Sequence, residues 1–159
     1  MKKTVLLNDV VKITPSIHKD ERGYFSEDYN KRDFKEVGIA DDFVQDNISY
    51  SEYKNTIRGM HFQINSYAQS KLIKVIQGSI LDIFIDIRKK SSSYETFGSY
   101  ELRSNDGWIY IPKGFAHGFC TLEDSTIVSY KVDEFFNKES DYGISWNDPL
   151  FNIKWPFSD

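Results

Sequence analysis

Disulfides, metal clusters, membrane spans and basic patches are all things for which this sequence is poorly supplied. Its single cysteine, Cys120, rules out an intrachain disulfide framework and reads as a small buried strand residue. No stretch approaches the roughly 20 apolar residues of a membrane span. The opening MKKTVLLNDVVKI begins like a secretory leader, but Asn8 and Asp9 break its apolar run and no small-residue cleavage site follows. A cytoplasmic location without membrane contact is therefore expected. The formal net charge of −4 argues against nucleic acid as a partner, which normally meets a basic face. A small anion could still bind where a few Arg and Lys converge. Internal repeats, low-complexity tracts and any alternation of strands with long helices are also missing.

What is present is β-structure. The 159 residues suit one domain, and 40% hydrophobic with 16% aromatic residues is enough to build a core. Residues 3–13 read as one or two strands around Asn8-Asp9. Asp20-Glu21-Arg22-Gly23 is a turn signal, and residues 24–29 alternate as a strand. A single short helix is predicted after Asn30, which can cap it; Phe34 and Val37 share a face and Gly38 ends it. Further strands are predicted over 43–48, 55–63, 71–77, 80–88, 98–102, 108–111, 118–122 and 125–133. Many short strands separated by turns point to an all-β sandwich or jelly roll.

The chain has three histidines. His18 sits in a polar segment before a turn and reads as solvated. His61 and His117 lie beside strand-like apolar residues, where a hydrogen-bonded structural His is the commonest role. Two chemistries compete with that role. Metal-binding β-barrels often offer a His-x-His pair, but His61 is followed by Phe62 and Gln63. Only Pro112-x-Gly114-x-x-His117 fits such a pattern, so no metal is expected. Proton transfer beside a sugar ketone fits better. It needs a base with a pKa near the working pH, which His supplies. It needs cations for the enolate oxygen, and Lys71 and Arg58 are of that type. It also needs an acid on the opposite face, for which Tyr130 has the chemistry. Arg58 and His61 are three apart, so a flat strand would turn them to opposite sides; a bulge at Gly59 would bring both to one side. Arg22, beside Gly23 on its turn, could join Arg58 in meeting phosphates.

Eight pieces of sequence then occur in a recognisable order. They are Asp20-Glu-Arg-Gly-Tyr-Phe25, Phe43-Val-Gln-Asp-Asn47, Ile57-Arg-Gly-Met-His-Phe-Gln63, Ser70-Lys71-Leu72 and Asp82-x-x-x-Asp-Ile-Arg88. After them come Ile111-Pro-Lys-Gly-Phe-Ala-His-Gly-Phe119, Tyr130-Lys131 and Gly143-Ile-Ser-Trp-Asn-Asp-Pro149. The set resembles the dTDP-4-dehydrorhamnose 3,5-epimerase family over nearly the whole chain. The resemblance implies a cupin-like double-stranded β-helix, or jelly roll, with no metal and no cofactor. It implies a homodimer in which N-terminal strands, within about residues 1–50, are contributed to the partner. It also implies a nucleotide-sugar substrate, dTDP-4-dehydro-6-deoxy-D-glucose in the first instance, in deoxysugar synthesis for surface polysaccharides such as O-antigen. By position His61 matches the family's base and Tyr130 its acid. Arg58, Lys71 and His117 match residues lining the sugar and its ketone. Arg22, Glu27 and Gln45-Asp46-Asn47 match substrate-binding positions, some of them serving the neighbouring subunit. Phe136 stands where a Tyr usually stacks on the base, and Asp141 where a Glu is usual.

The sequence departs from the family at its C-terminal end. Members typically run past the Trp-Pro segment into Leu-Ser-x-Lys-Asp, whose Asp orients and charges the base His. Here the residues are Trp155-Pro-Phe-Ser-Asp159. The expected stand-in is Asp82, with Asp159 a weaker candidate. Three outcomes stay open: normal activity with Asp82 supporting His61, epimerisation at only one of C3 and C5 or on another sugar, and a weakened relative. A sugar-nucleotide-binding barrel without turnover, or a metal-dependent cupin oxygenase, are the alternatives from other classes.

Overall fold

The computed structural model describes residues 1–157. Its elements in chain order are β1 (Lys2–Leu7), β2 (Val10–Thr14), β3 (His18–Asp20), β4 (Gly23–Phe25), α1 (Lys31–Glu36), β5 (Gln45–Ser51) and β6 (Ile57–Gln63). Then come β7 (Lys71–Gln77), β8 (Ser79–Asp86), β9 (Phe97–Arg103), β10 (Trp108–Ile111), β11 (Phe115–Thr121), β12 (Thr126–Val132) and β13 (Asp141–Gly143), with two short 3-10 turns. The strands form two antiparallel sheets, ordered β1-β2-β10-β7-β12-β5 and β13-β6-β11-β8-β9, and a separate β3–β4 hairpin. This is the all-β jelly roll that the strand spacing predicts. Among the described residues no helix is long and apolar enough to cross a membrane.

Alternation along the strands sorts the apolar residues into three layers. Val10, Ile73, Val75, Ile80, Phe84, Ile109 and Val128 face inward and fill the space between the sheets. The opposite face of the six-stranded sheet, with Val11, Ile13, Leu72 and Trp108, is covered by Phe34 of α1 and by Ile39. Asn30 caps this helix by accepting from Arg32 N, and Gly38 follows it at φ +89°, as predicted. The outer face of the five-stranded sheet carries Met60, Ile83, Ile85 and Ala116, covered by Ile144, Phe151, Ile153 and Trp155 from the C-terminal segment. β8 and β11 are thus buried on both faces. That explains why β11 shows no alternation and begins at Phe115, three residues before the predicted start.

The largest other boundary differences are at β4 and β5. β4 stops at Phe25 because Asp28 is taken by other partners: its carbonyl accepts from Trp108 Nε1 at 2.9 Å and its carboxylate from Lys74 at 2.6 Å. β5 runs on to Ser51 because it pairs with β12 along its whole length. The Asp86-Ile-Arg88 motif is a structural staple. Asp86 is fully buried and accepts from Arg88, Ser91 and Ser93, while Arg88 reaches Asp9 in the β1–β2 turn at 2.7 Å. Burial works to raise the Asp86 carboxyl, but these donors outweigh it and hold it well below the usual carboxylate range.

Candidate active site

A bulge on β6 sets the geometry. Between the His61–His117 and Arg58–Phe119 pairs, β6 carries one residue more than β11. The extra residue turns Arg58 and His61 to the same side, and both line one cleft. Only glycine fits at the bend: Gly59 has φ +131°, and a Cβ there would stand 2.4 Å from Gly118 Cα.

The cleft, of about 530 Å³, lies between the sheets. The five-stranded sheet contributes Arg58, His61, His117 and Phe119; the six-stranded sheet contributes Ser49, Tyr50, Lys71, Ile73 and Tyr130. Gln69, just before β7, and Phe136 and Asp141, after β12, complete its wall. Arg58 is held by β5, donating through Nε to Ser51 Oγ at 3.0 Å and through its terminal nitrogen to the Tyr50 carbonyl at 2.8 Å.

The two histidines differ in their surroundings. His61 is exposed and has no side-chain hydrogen bond among the described residues. Its Nδ1 looks toward β13, 4.0 Å from where a Cβ on Gly143 would stand. His117 is buried, and its Nε2 donates to Asp82 Oδ1 at 2.7 Å. The sequence reading puts Asp82 behind His61; the structure puts it behind His117. The cause is strand order, since β11 lies between β8 and β6 and screens one from the other. Asp159 lies outside the described residues. Two polar atoms are buried here without a protein partner among those residues, Asp82 Oδ2 and Ser49 Oγ.

Charge in the cleft is tuned by loss of water. Lys71 is half-buried, and desolvation pulls its ammonium down to about 8, against the opposing charges of Asp141 and Asp82. Burial raises the Tyr130 hydroxyl above its ordinary value, with Arg58 acting in the opposite direction.

Of the residues singled out from sequence, Arg58, His61, Lys71, His117, Tyr130, Phe136 and Asp141 meet at this cleft, and Asp82 stands behind it. Arg22 and Glu27 do not line it; Arg22 is paired with Asp20 on the β3–β4 turn. Nor do Gln45, Asp46 and Asn47, where Gln45 donates to Asn47 at 2.8 Å and Lys131 to Asp46 at 2.8 Å. Sequence reasoning missed Ser49 and Tyr50, because it ended the strand at residue 48, and it missed Gln69. Among the described residues no group of three or more His, Cys, Asp or Glu is placed to hold a metal ion.

Fold and cleft define a cupin-like barrel with a polar cleft between its two sheets. The sequence pattern of the dTDP-4-dehydrorhamnose 3,5-epimerase family matches residues 4–159. A dTDP-4-dehydrorhamnose 3,5-epimerase of Shigella flexneri is 42% identical over 150 residues, covering 93% of this chain and 82% of the relative. One from Methanothermobacter thermautotrophicus is 44% identical over 151 residues, covering 94% and 80%. The crystal structure of the Bacillus anthracis enzyme with TDP and PPi bound superposes with a TM-score of 0.94 at 44% identity, covering 99% of this chain and 93% of that one. The Legionella pneumophila epimerase in complex with dTDP-4-keto-L-rhamnose gives 0.89 at 34% identity, covering 99% and 86%. The chain belongs to the dTDP-4-dehydrorhamnose 3,5-epimerase family.

Proposed function

We propose that the protein epimerises a nucleotide-linked 4-keto-6-deoxy sugar, dTDP-4-dehydro-6-deoxy-D-glucose in the first instance, at C3, C5 or both, as a cytoplasmic step of deoxysugar synthesis. The observation that carries this reading is the placement of His61 and Tyr130 on opposite sheets across one cleft. A carbon next to the ketone, held between them, loses its proton to His61 on one face and regains one from Tyr130 on the other. That exchange inverts the carbon. In between, the electrons of the broken C–H bond rest on the C4 oxygen as an enolate, which Lys71, Arg58 and His117 stabilise by donating to it. The raised Tyr130 hydroxyl suits this role, since it keeps its proton at neutral pH until the carbanion takes it. Phe136 offers an exposed face for the thymine ring, and Asp141 sits where it can meet a sugar hydroxyl or balance Lys71.

The test is NMR of dTDP-4-keto-6-deoxyglucose with the protein in heavy water. Loss of the proton signal at both C3 and C5 marks a double epimerase, and loss at one carbon a mono-epimerase. A full complement of protons after long incubation, with this and related nucleotide sugars, overturns the reading in favour of binding without turnover.

The same reading predicts a pH limb. Lys71 stabilises an enolate only while protonated, so kcat/KM should fall above about pH 8. Asp141 works to keep Lys71 protonated, so Asp141→Asn should move the limb to lower pH. A pH–rate profile with an unmoved limb would remove Lys71 as the titrating group.

Arg22 and Glu27 find their role in a homodimer. The β3–β4 hairpin stands clear of its own cleft with Tyr24 58% and Phe25 66% exposed, as suits an arm that reaches a partner's cleft. In that assembly Arg22 and Glu27, together with Gln45, Asp46 and Asn47 on the β5 edge, complete the binding of the nucleotide.

A further inference from the structure

The rim segment that carries Phe136 and Asp141 has little apolar burial of its own, since Phe135 and Phe136 are 59% and 62% exposed. Something else must fix it. Gln63, the last residue of β6, is 6% exposed and uses its whole amide to do so. Its Nε2 donates to the Phe135 carbonyl at 3.1 Å and to the Tyr67 carbonyl at 2.7 Å, and its Oε1 accepts from Asn137 N at 2.7 Å. The bonds to Phe135 and Asn137 bracket Phe136 on both sides, and the bond to Tyr67 ties the bracket to the segment that leads to Gln69. Gln69 adds a parallel strap, donating to the Glu134 carbonyl at 2.8 Å. One residue further along, Ile64 N donates to the Ser140 carbonyl at 3.1 Å, next to Asp141.

We propose that Gln63 is a positioning residue for nucleotide recognition: it touches no substrate, and it holds the backbone on either side of Phe136 so that the ring stands as a preformed stacking face at the mouth of the cleft. The proposal rests on the reading of Phe136 as the platform for the base. A preformed face spares the ligand the entropy of ordering the loop. Loss of the bracket should therefore weaken the nucleotide end of binding and leave the proton-transfer groups, which sit on β6, β7 and β12, in place.

The test uses Gln63→Leu, which removes all three bonds, and Gln63→Glu, which keeps the volume and the acceptor to Asn137 but loses both donors. Gln63→Glu also guards against a failure of the first variant to fold. Calorimetric Kd for dTDP should rise about five- to tenfold, within the worth of one base-stacking contact. KM should rise in parallel while kcat at saturation changes far less, and amide exchange of the 134–138 peptide should accelerate. In a Phe136→Ala background the same Gln63 substitutions should change the dTDP Kd by less than about twofold, since coupled residues are not additive. Equal losses in both backgrounds overturn the role, because Gln63 would then act through general stability. A dTDP Kd unchanged by the Gln63 variants, with Phe136→Ala weakening it, also overturns the role while leaving base stacking intact. A Kd unchanged by Phe136→Ala itself removes the stacking reading and the positioning role with it.

Discussion

His61→Ala is expected to lower kcat by about 10²- to 10⁴-fold and to slow solvent exchange at the sugar carbons in parallel, the range for loss of a positioned general base. The structure makes this a clean experiment. His61 is exposed and has no side-chain hydrogen bond among the described residues, so its removal leaves no buried group unpaired. Substitutions at such positions usually change stability by no more than about 0.5 kcal/mol, so Tm should hold. Affinity for dTDP should also hold, because the nucleotide is met by other groups. His117 cannot readily take over: its Nε2 is occupied by Asp82 at 2.7 Å, and its ring is buried in β11. His61→Ala protein that still exchanges both carbons at the native rate would end the assignment and move the search for a base to the remaining donors of the cleft.

The fold was largely legible in the sequence because its strands obey local rules. The Asn8-Asp9 turn, the helix between Asn30 and Gly38, and Trp108–Ile111 stand where turn, cap and alternation signals put them. Errors arose where long-range pairing overrides local pattern. β11 is covered on both faces and so carries no period, and β13 is a strand only because Asp141–Gly143 pairs with β6. The site was legible in the same proportion. The Gly59 bulge could be inferred from a glycine between two polar residues of the wrong spacing, and the register confirms it. Which carboxylate serves which histidine could not be inferred, since that depends on β11 lying between β8 and β6. Gln63 ends the Ile57–Gln63 motif, yet its work is hidden from the sequence, because its partners are backbone atoms of residues 67, 135 and 137.

The His117–Asp82 pair carries the second large effect. Asp82 has no exposed surface, one oxygen on His117 Nε2 and the other without a partner among the described residues. Such a carboxylate fixes the orientation of the imidazole, which lines the cleft where an enolate oxygen would lie. Asp82→Asn keeps the volume but exchanges this charge for a dipole, and the amide can face His117 with its oxygen and so preserve the hydrogen bond. Its expected cost is therefore catalytic: kcat should fall about 10²-fold, comparable with the loss of one oxyanion donor, with Tm nearly unchanged. Asp82→Ala should also lower stability, by about 1–3 kcal/mol, because it strands a buried imidazole nitrogen. If Asp82 works through His117, then Asp82→Asn adds little in a His117→Gln background, as expected of groups acting as a unit. If instead the two substitutions multiply, the carboxylate acts apart from His117, and the group for it to serve is Lys71, whose ammonium already feels its charge. The pH–rate profile separates these cases. Asp82 works to raise the Lys71 pKa, so the alkaline limb of Asp82→Asn should move to lower pH in either case; a role through His117 adds a lowered plateau, which a role through Lys71 alone does not.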